Sequence, residues 1–199
     1  MLVSKVDRKI FTAARVANED LSGWLNNQAI IVESDLISEI VPFSSLTKDY
    51  LENAEVTDFG NTSILPGLVD AHCHMHCSAT PDAQFLAMTE DVPTLTMRAV
   101  TAMRKAVLAG TTTIRDLGAR NEVAFPIKKA IDDGSIPGPR LIVSGTPITI
   151  TAGHCWFMGT QADTKEEVVK AVRNQVRLGA GSIKMMSTGG MFTPTANPR

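Results

Sequence analysis

Cysteine, aromatic residues and surplus charge are all scarce in this sequence of 199 residues. Its three cysteines, Cys73, Cys77 and Cys155, are an odd and sparse set, which favours reduced thiols over a disulfide framework. The formal net charge of −2 at pH 7 leaves no basic surplus for nucleic acid. No apolar run approaches the roughly 18 residues that a membrane helix needs. We therefore expect neither nucleic-acid nor membrane partners.

The beginning of the chain also lacks the features of a secretory signal. Residues 1–10 alternate charged and apolar side chains and contain no continuous hydrophobic segment. The sequence therefore predicts a cytoplasmic location. With 44% hydrophobic and 20% charged residues, the composition is that of an ordinary globular protein, which can bury one good core and a second, smaller one.

Two patterns of secondary structure divide the chain near residue 60. Residues 1–60 contain short β-like runs separated by polar turns, which predicts a small antiparallel β unit. Residues 61–199 alternate apolar strands with amphipathic helices. The predicted strands cover residues 64–74, 111–116, 140–145 and 182–186, and the helices between them end at Gly110, Gly134 and Gly179.

Alternating strands and helices favour parallel, right-handed βαβ units, either in a barrel or in an open doubly wound sheet. A nucleotide-binding open sheet would carry a glycine-rich turn after its first strand. Here that strand ends in His72-Cys73-His74 instead. The sequence therefore favours a (β/α)8 barrel of which about four βα units are present.

The last predicted helix has a clear beginning. Thr164 followed by Glu167 is a capping-box signature, in which each residue satisfies a free backbone N–H at the start of the helix. The apolar positions that follow at helical spacing are Val168, Val172 and Val176. We expect these three side chains to face the sheet.

An apolar strand that ends in two histidines organises the sequence. His72 and His74 are two positions apart, so on an extended strand their imidazoles point to the same side. Two imidazoles aimed at one point most often bind a metal ion. We predict that this strand is buried on both faces and that His72 and His74 are metal ligands at its carboxyl end.

Lys184 lies in the fourth predicted strand, where an unpaired ammonium is costly to bury. A salt bridge to Asp116, or a side chain that reaches the rim along its long stem, would explain it structurally. A desolvated lysine near cations can also lose its proton and become a nucleophile. Carbon dioxide adds to such an amine and gives a carbamate, a carboxylate that is able to bridge two metal ions.

The loop around His154 contains two glycines and two aromatic residues, which suits the wall of a substrate pocket. The alternative is a loop packed over the barrel mouth, with His154 hydrogen-bonded to backbone. Asp116 follows a strand as well, and we expect it to pack or to support other groups rather than to react. His76 and the cysteines are expected to be structural, and no residue is assigned as catalytic.

These motifs resemble the amidohydrolase superfamily over nearly the whole chain. The resemblance rests on residues 64–76, residues 110–118, the Gly-His-Cys-Trp loop and residues 183–190. Within the superfamily, the sequence is similar to the imidazolonepropionase-related branch. In that branch it resembles Xaa-Pro dipeptidases and carboxypeptidases that release basic residues. The resemblance implies a distorted (β/α)8 barrel flanked by a small β-sandwich unit, together with two divalent metal ions, most often zinc. In such relatives a lysine of strand four is carbamylated and bridges the metals, and the resemblance assigns this role to Lys184. A loop histidine contacts the substrate in relatives, and the resemblance assigns this role to His154.

The resemblance also implies an activity, namely hydrolysis of C–N bonds in small amides, dipeptides or N-acyl amino acids by a hydroxide that bridges two metals. One alternative is a catalytically incomplete or non-enzymatic binding module on the same scaffold. Another is a cyclic-amide hydrolase of the imidazolonepropionase type. Lys184 argues against the latter, because those enzymes use one metal and lack this lysine.

The superfamily takes two more histidine ligands from strands five and six and a catalytic aspartate from strand eight, and this sequence stops before them. A (β/α)8 barrel needs about 250 residues. We therefore expect a fragment of a chain of about 400 residues, or a barrel that a second copy completes. The 199 residues alone should be inactive and prone to aggregate, and residues 193–199 carry no helix that would close the fourth unit.

Overall fold

The computed structural model describes residues 8–190 and residue 192, which form two units divided between Pro66 and Gly67. Each unit has a sheet of its own. The expectations for the first seven residues and for residues 193–199 lie outside the described residues. Among the helices of the described part, none has the length and apolar character needed to cross a membrane.

The first unit is a five-stranded mixed sheet. Its elements are β1 (Arg8–Ala17), β2 (Trp24–Glu33), β3 (Leu36–Pro42), α1 (Lys48–Glu52), β4 (Glu55–Asp58) and β5 (Ser63–Ile64). The predicted strands are present, and β2 pairs antiparallel with both β1 and β3. The expectation of a purely antiparallel unit is wrong, because β4 and β5 return to pair with β1 in parallel. The described residues of this unit form one sheet, without the second sheet of a sandwich.

The second unit is built from parallel strands with helices between them. Its elements are β6 (Leu68–Cys73), α2 (Ala83–Thr89), α3 (Val92–Leu108), β7 (Thr111–Asp116), α4 (Ala124–Asp132), β8 (Arg140–Val143), β9 (Ile148–Thr149), β10 (Thr160–Gln161) and α5 (Lys165–Arg177). The main sheet has the order β6-β7-β8, and both pairings are parallel. The predicted βα alternation is therefore confirmed for three strands. The described residues form an open three-stranded parallel sheet and not a closed barrel.

Helix α3 forms where the sequence places an apolar stripe behind a capping residue. The Asp91 carboxylate accepts a hydrogen bond from the Thr94 N–H at 2.9 Å, which satisfies one of the free donors at the helix start. The buried side chains Leu95, Ala99 and Met103 recur every four residues on one face. This face packs against α4 and the sheet in the main core, which includes Met75, Ile114, Ile127, Leu141 and Val143.

Helix α5 begins at the predicted capping box, with both reciprocal hydrogen bonds between Thr164 and Glu167 present. Two of the three predicted positions, Val168 and Val172, pack against the buried residues Ile148, Ala162 and Ala171, and the third does not. Val176 is 59% exposed, whereas Gln175 is buried. Gln175 faces inward because its Oε1 accepts a hydrogen bond from the Thr146 N–H at 3.1 Å, in the turn after β8. A buried amide that completes this turn is not visible in the apolar spacing.

The strand that leads to the two histidines differs from its prediction in two respects. Residues 63–64 pair with β1 and residues 68–73 pair with β7, so the run is divided between the two units. The expectation that both faces are buried is wrong, since Leu68 and Val69 are 64% and 68% exposed. The physical reason is that β6 lies at the edge of its sheet within the described residues.

The predicted strand over residues 182–186 is also not continuous. It forms a single parallel bridge, between Met185 and Ile148 of β9. The Ile148 N–H donates to the Lys184 carbonyl at 2.9 Å, and the Met186 N–H donates to the Ile148 carbonyl at 2.8 Å. Just before this segment, the Gly181 N–H donates to the Val143 carbonyl at the end of β8. This extended segment places Lys184 beside β9.

Candidate metal centre

A bulge interrupts β6 next to its histidines. Between Asp70 and Cys73, β6 advances three residues while β7 advances two, which leaves one extra residue. Two side chains bind the backbone of the bulge. The Asp70 carboxylate accepts the His72 N–H at 3.0 Å, and Arg115 Nε donates to the Ala71 carbonyl at 2.8 Å. The bulge is thus held in place at the carboxyl end of the strand.

His72 and His74 lie on the same side of the chain, as their spacing predicts. Their ring centroids are 5.5 Å apart, with the ring planes at 64°. Nδ1 of His74 lies 2.9 Å from the carbonyl oxygen of Gly118. A carbonyl only accepts hydrogen bonds, so this Nδ1 carries the proton and Nε2 keeps a free lone pair. The free lone pair is the form of imidazole that binds a metal.

The positive charge of Lys184 affects the pKa values of three histidines. The pKa of His72, of His74 and of His154 lies below the ordinary histidine value, chiefly because burial disfavours the charged ring. The Lys184 ammonium lowers all three pKa values further. The three rings are therefore neutral near pH 7. Lys184 itself is half-buried, and the described residues contain no ion pair between it and Asp116, which was one structural explanation for this lysine.

Asp116 is fully buried at the end of β7. Its Oδ1 accepts the Met75 N–H at 2.9 Å, and its Oδ2 lies 3.4 Å from the Gly118 N–H. Burial raises the pKa of this carboxyl to about 6, and the two backbone donors oppose the rise. Asp116 thus joins the loop after β6 to the loop after β7, which agrees with the supporting role expected for it.

His154 lies in the loop between β9 and β10, against the segment that follows Lys184. It lines a cavity of about 220 Å³ together with Thr149, Met186 and Ser187. The ring packs on backbone at Gly190, where an added Cβ would lie 2.7 Å from His154 Nδ1. On its other side, His154 Nε2 is 3.3 Å from the Cys155 sulfur. The loop therefore presents His154 to the cavity, as the sequence predicts for a pocket wall.

The remaining candidates behave as structural groups. None of the three cysteines forms a disulfide bond with another described residue. Burial raises the pKa of Cys73 and Cys77 to about 12 and that of Cys155 to about 11, so the thiols are protonated and unreactive at neutral pH. His76 is fully buried, and burial lowers its pKa to about 4. We therefore interpret the three cysteines and His76 as packing residues and not as reactive groups.

The described residues supply some, but not all, of the ligands that a metal ion needs. Within residues 8–190 and at residue 192, no three or more His, Cys, Asp or Glu side chains are placed to hold a metal together. What the structure does provide is a pair of neutral imidazoles, at His72 and His74, and an amine at Lys184. Imidazole nitrogen is a favoured ligand of zinc, which takes four donors. The residues present therefore fit a share of a zinc site, and Lys184 joins them as a ligand only in a modified form.

Two features that shape this centre were missed by the sequence argument. The Gly118 carbonyl orients His74, and Gly118 has a φ of 139° with Pro147 only 3.0 Å from where a Cβ would lie. Gly190 leaves the room that the His154 ring fills. Both were visible only as glycines after predicted strands, which is a weak signal, since glycine is common in loops of every kind.

A parallel βα sheet with two imidazoles at the carboxyl end of one of its strands defines an α/β protein with a candidate site at that edge of the sheet. Residues 63–199 match the amidohydrolase family, and the chain belongs to that family. The chain is 32% identical, over 204 aligned residues, to an ochratoxinase of Aspergillus niger, and the alignment covers 87% of this chain and 41% of the relative. The chain thus spans less than half the length of this curated relative.

Solved structures show the same fold. The crystal structure of A. niger ochratoxinase superposes with a TM-score of 0.82 at 25% identity, covering 98% of this chain and 49% of that one. A prolidase complexed with N-methylphosphonate-L-proline superposes with a TM-score of 0.82 at 23% identity, covering 96% of this chain and 49% of that one. In both cases about half of the relative's length has its counterpart here.

Proposed function

We propose that the intact protein is a metal-dependent hydrolase that cleaves C–N bonds in small amides such as dipeptides or N-acyl amino acids. One observation carries the proposal: the rings of His72 and His74 lie 5.5 Å apart at the carboxyl end of a parallel strand, and the charge of Lys184 lowers the pKa of both rings and of His154. Family membership supports it, because amidohydrolases generally use a binuclear metal centre. The names of the relatives, an ochratoxinase and a prolidase, point to amide hydrolysis as well.

In this proposal His72, His74 and a carbamate on Lys184 would hold divalent ions, about two per chain and most fittingly zinc. The carbamate forms when the Nζ lone pair attacks the carbon of carbon dioxide. Before this attack the ammonium loses one proton to solvent, which frees the lone pair. During the attack a C=O electron pair moves to oxygen, and a second Nζ proton then leaves to solvent, so the loss of two protons turns the cation into a carbamate with one negative charge. The bound metals supply Lewis acidity, which polarises an amide carbonyl and activates water.

The other residues of the chain position these groups. The Gly118 carbonyl holds the His74 ring with Nε2 free, and the bulge fixed by Asp70 and Arg115 sets the direction of His72. His154 provides a ring N–H or a lone pair to a substrate bound in the adjoining cavity. None of the described residues is assigned the transfer of a proton to the leaving amine.

The test is metal analysis of the intact protein together with a substrate panel. We expect about two divalent ions per chain, turnover of a dipeptide or an N-acyl amino acid, loss of turnover after chelation and recovery with added zinc. A folded sample that is free of metal would contradict the proposal. Metal without turnover on any amide would favour the binding module, and turnover of a lactam alone would favour the imidazolonepropionase type.

Gly190→Ala should weaken the binding of an amide substrate in the cavity beside His154. The added Cβ would lie 2.7 Å from two atoms of the His154 ring, so the ring must move from its place at the cavity. Loss of one hydrogen bond to substrate costs about 1 kcal/mol, so KM should rise about fivefold while kcat changes less. Steady-state kinetics measure both constants. Gly23→Ala is the matched control, because its Cβ would meet Asn18 at an ordinary 3.6 Å, and an equal effect of the two variants would contradict the role given to Gly190.

A further inference from the structure

We propose that Asp116 is a positioning residue that fixes the ring tautomer of His74 through the backbone of Gly118. It accepts hydrogen bonds from the Met75 N–H and the Gly118 N–H, which belong to the two loops that meet beneath the candidate site. The inference rests on the metal role proposed for His74. It concerns how the chain prepares that ligand before any metal binds.

The contacts form a short chain of hydrogen bonds. Asp116 Oδ1 accepts the N–H of Met75, the residue that follows His74, at 2.9 Å. Asp116 Oδ2 is 3.4 Å from the Gly118 N–H, and the Gly118 carbonyl lies 2.9 Å from His74 Nδ1. One buried carboxylate therefore holds the backbone on both sides of the contact that orients the ring. The carboxylate restrains the peptide after His74 and the residue whose carbonyl receives the His74 proton.

The position of Gly118 leaves little freedom for another arrangement. Its φ of 139° lies in a region that side chains rarely adopt, and Pro147 packs 3.0 Å from where a Cβ would lie. The preceding residue is held too, since the Leu117 N–H donates to the Cys73 carbonyl at 2.8 Å. Asp116 is 0% exposed, so water does not compete for its oxygens. The Gly118 carbonyl is therefore aimed at His74 by groups that no solvent replaces.

Asp116→Asn separates this role from simple packing. The amide has nearly the same shape but offers one acceptor oxygen where the carboxylate offers two. If that oxygen keeps the Met75 N–H, the amide nitrogen faces the Gly118 N–H and two donors oppose each other. The Gly118 peptide should then shift, the contact to His74 Nδ1 should weaken, and the ring should exchange between its two tautomers.

The first readout needs neither metal nor substrate. Nitrogen-15 NMR of the imidazole in the metal-free intact protein, at alkaline pH where the ring is neutral, reports which nitrogen of His74 carries the proton. We expect the Nδ1–H tautomer in the wild type and a mixture in Asp116→Asn. A wild-type ring that carries its proton on Nε2, or a variant that keeps the wild-type tautomer, would overturn the inference.

The second readout is zinc affinity, measured by competition with a chelator. Removing a group that orients a metal-bound histidine typically costs 10- to 100-fold in affinity, so we expect a loss of about this size in Asp116→Asn. If this variant does not fold, Asp116→Ser replaces it for both readouts, since serine removes the carboxylate without opposing donors. A variant that keeps both the tautomer and the affinity would show that Asp116 only fills space.

Ser144→Ala is the matched control. Ser144 is also fully buried and follows the neighbouring strand β8, and its Oγ has no hydrogen-bond partner among the described residues. Its substitution should leave the tautomer and the zinc affinity unchanged, and an equal loss in this variant would overturn the specific role of Asp116. A wild type that binds no zinc would refute the proposed function, while the tautomer would still decide the inference about Asp116.

Discussion

Replacing Lys184 with alanine is expected to reduce the metal content of the intact protein from about two divalent ions per chain to at most about one. His72 and His74 provide two neutral imidazoles, which are too few to hold two ions. As an unmodified ammonium, Lys184 would repel the metals, since its charge already lowers the pKa of both rings. Only its conversion to a carboxylate reverses the sign of its effect, and alanine removes that option.

The variant also provides a rescue experiment. A short carboxylic acid such as formate or propionate can enter the space left by the Lys184 side chain and supply the missing oxygens. Metal content and amide hydrolysis should then recover in part, in proportion to the concentration of added acid. In the wild type, carbon-13 NMR with labelled bicarbonate should show a carbamate carbon, and the signal should be absent from Lys184→Ala.

Lys170→Ala is the control for this experiment. Lys170 is an exposed lysine on α5, and its substitution removes the same charge without touching the candidate site. Metal content measured by mass spectrometry should not change in this control. Unchanged metal content in Lys184→Ala would contradict the bridging role and leave Lys184 as a structural lysine.

The sequence predicts those elements whose signals are local. The capping residue Thr164 starts α5 at the expected place, because a cap acts within one turn of its own helix. The apolar stripe of α3 packs as its spacing indicates. Strands β7 and β8 lie within the predicted runs and pair in parallel, as the alternation of strands and helices requires.

The differences arise where distant segments decide the outcome. The burial of Leu68 and Val69 depends on which strand lies beside β6, and a strand's own residues do not specify its neighbour. The segment around Lys184 pairs with Ile148 because β9 intervenes after β8. Val176 faces solvent because Gln175 makes a better contact inside. For β6 and α5 the hydrophobic pattern predicts the type of element and tertiary contacts determine its faces, whereas around Lys184 tertiary contacts also determine that only a single bridge forms.

In the candidate site, too, the sequence predicts the local features and misses those that depend on distant segments. The pairing of His72 with His74 follows from the two-residue period of a strand, so spacing alone was sufficient to predict it. Placing Lys184 and His154 near these rings required a barrel, which the alternation of strands and helices favoured, and the resemblance to a family supplied the roles of the two residues. The sequence predicts a supporting role for Asp116 but not its hydrogen-bond partners. These partners are backbone N–H groups, which nearly every residue type provides, so the sequence carries no signal for them.

His74→Ala and His76→Ala should separate the metal site from the core behind it. His74 is half-buried and makes one hydrogen bond, to Gly118, so its loss should lower the free energy of unfolding by about 1 kcal/mol. Zinc affinity should fall by more than the roughly 100-fold typical of groups that only orient a ligand. Amide hydrolysis should be lost with the metal.

His76 is two residues further along the chain, and its side chain is 0% exposed. His76→Ala leaves a cavity in the core, so the free energy of unfolding should fall by about 2 kcal/mol or more, while zinc affinity stays at the wild-type value. Thermal unfolding and chelator competition measure the two quantities on the same samples. Both variants are expected to lose stability, but only His74→Ala is expected to lose zinc affinity, so a loss of stability alone does not explain a loss of metal. If His76→Ala weakened zinc binding as much as His74→Ala, the assignment of His74 as the ligand and His76 as a structural residue would be wrong.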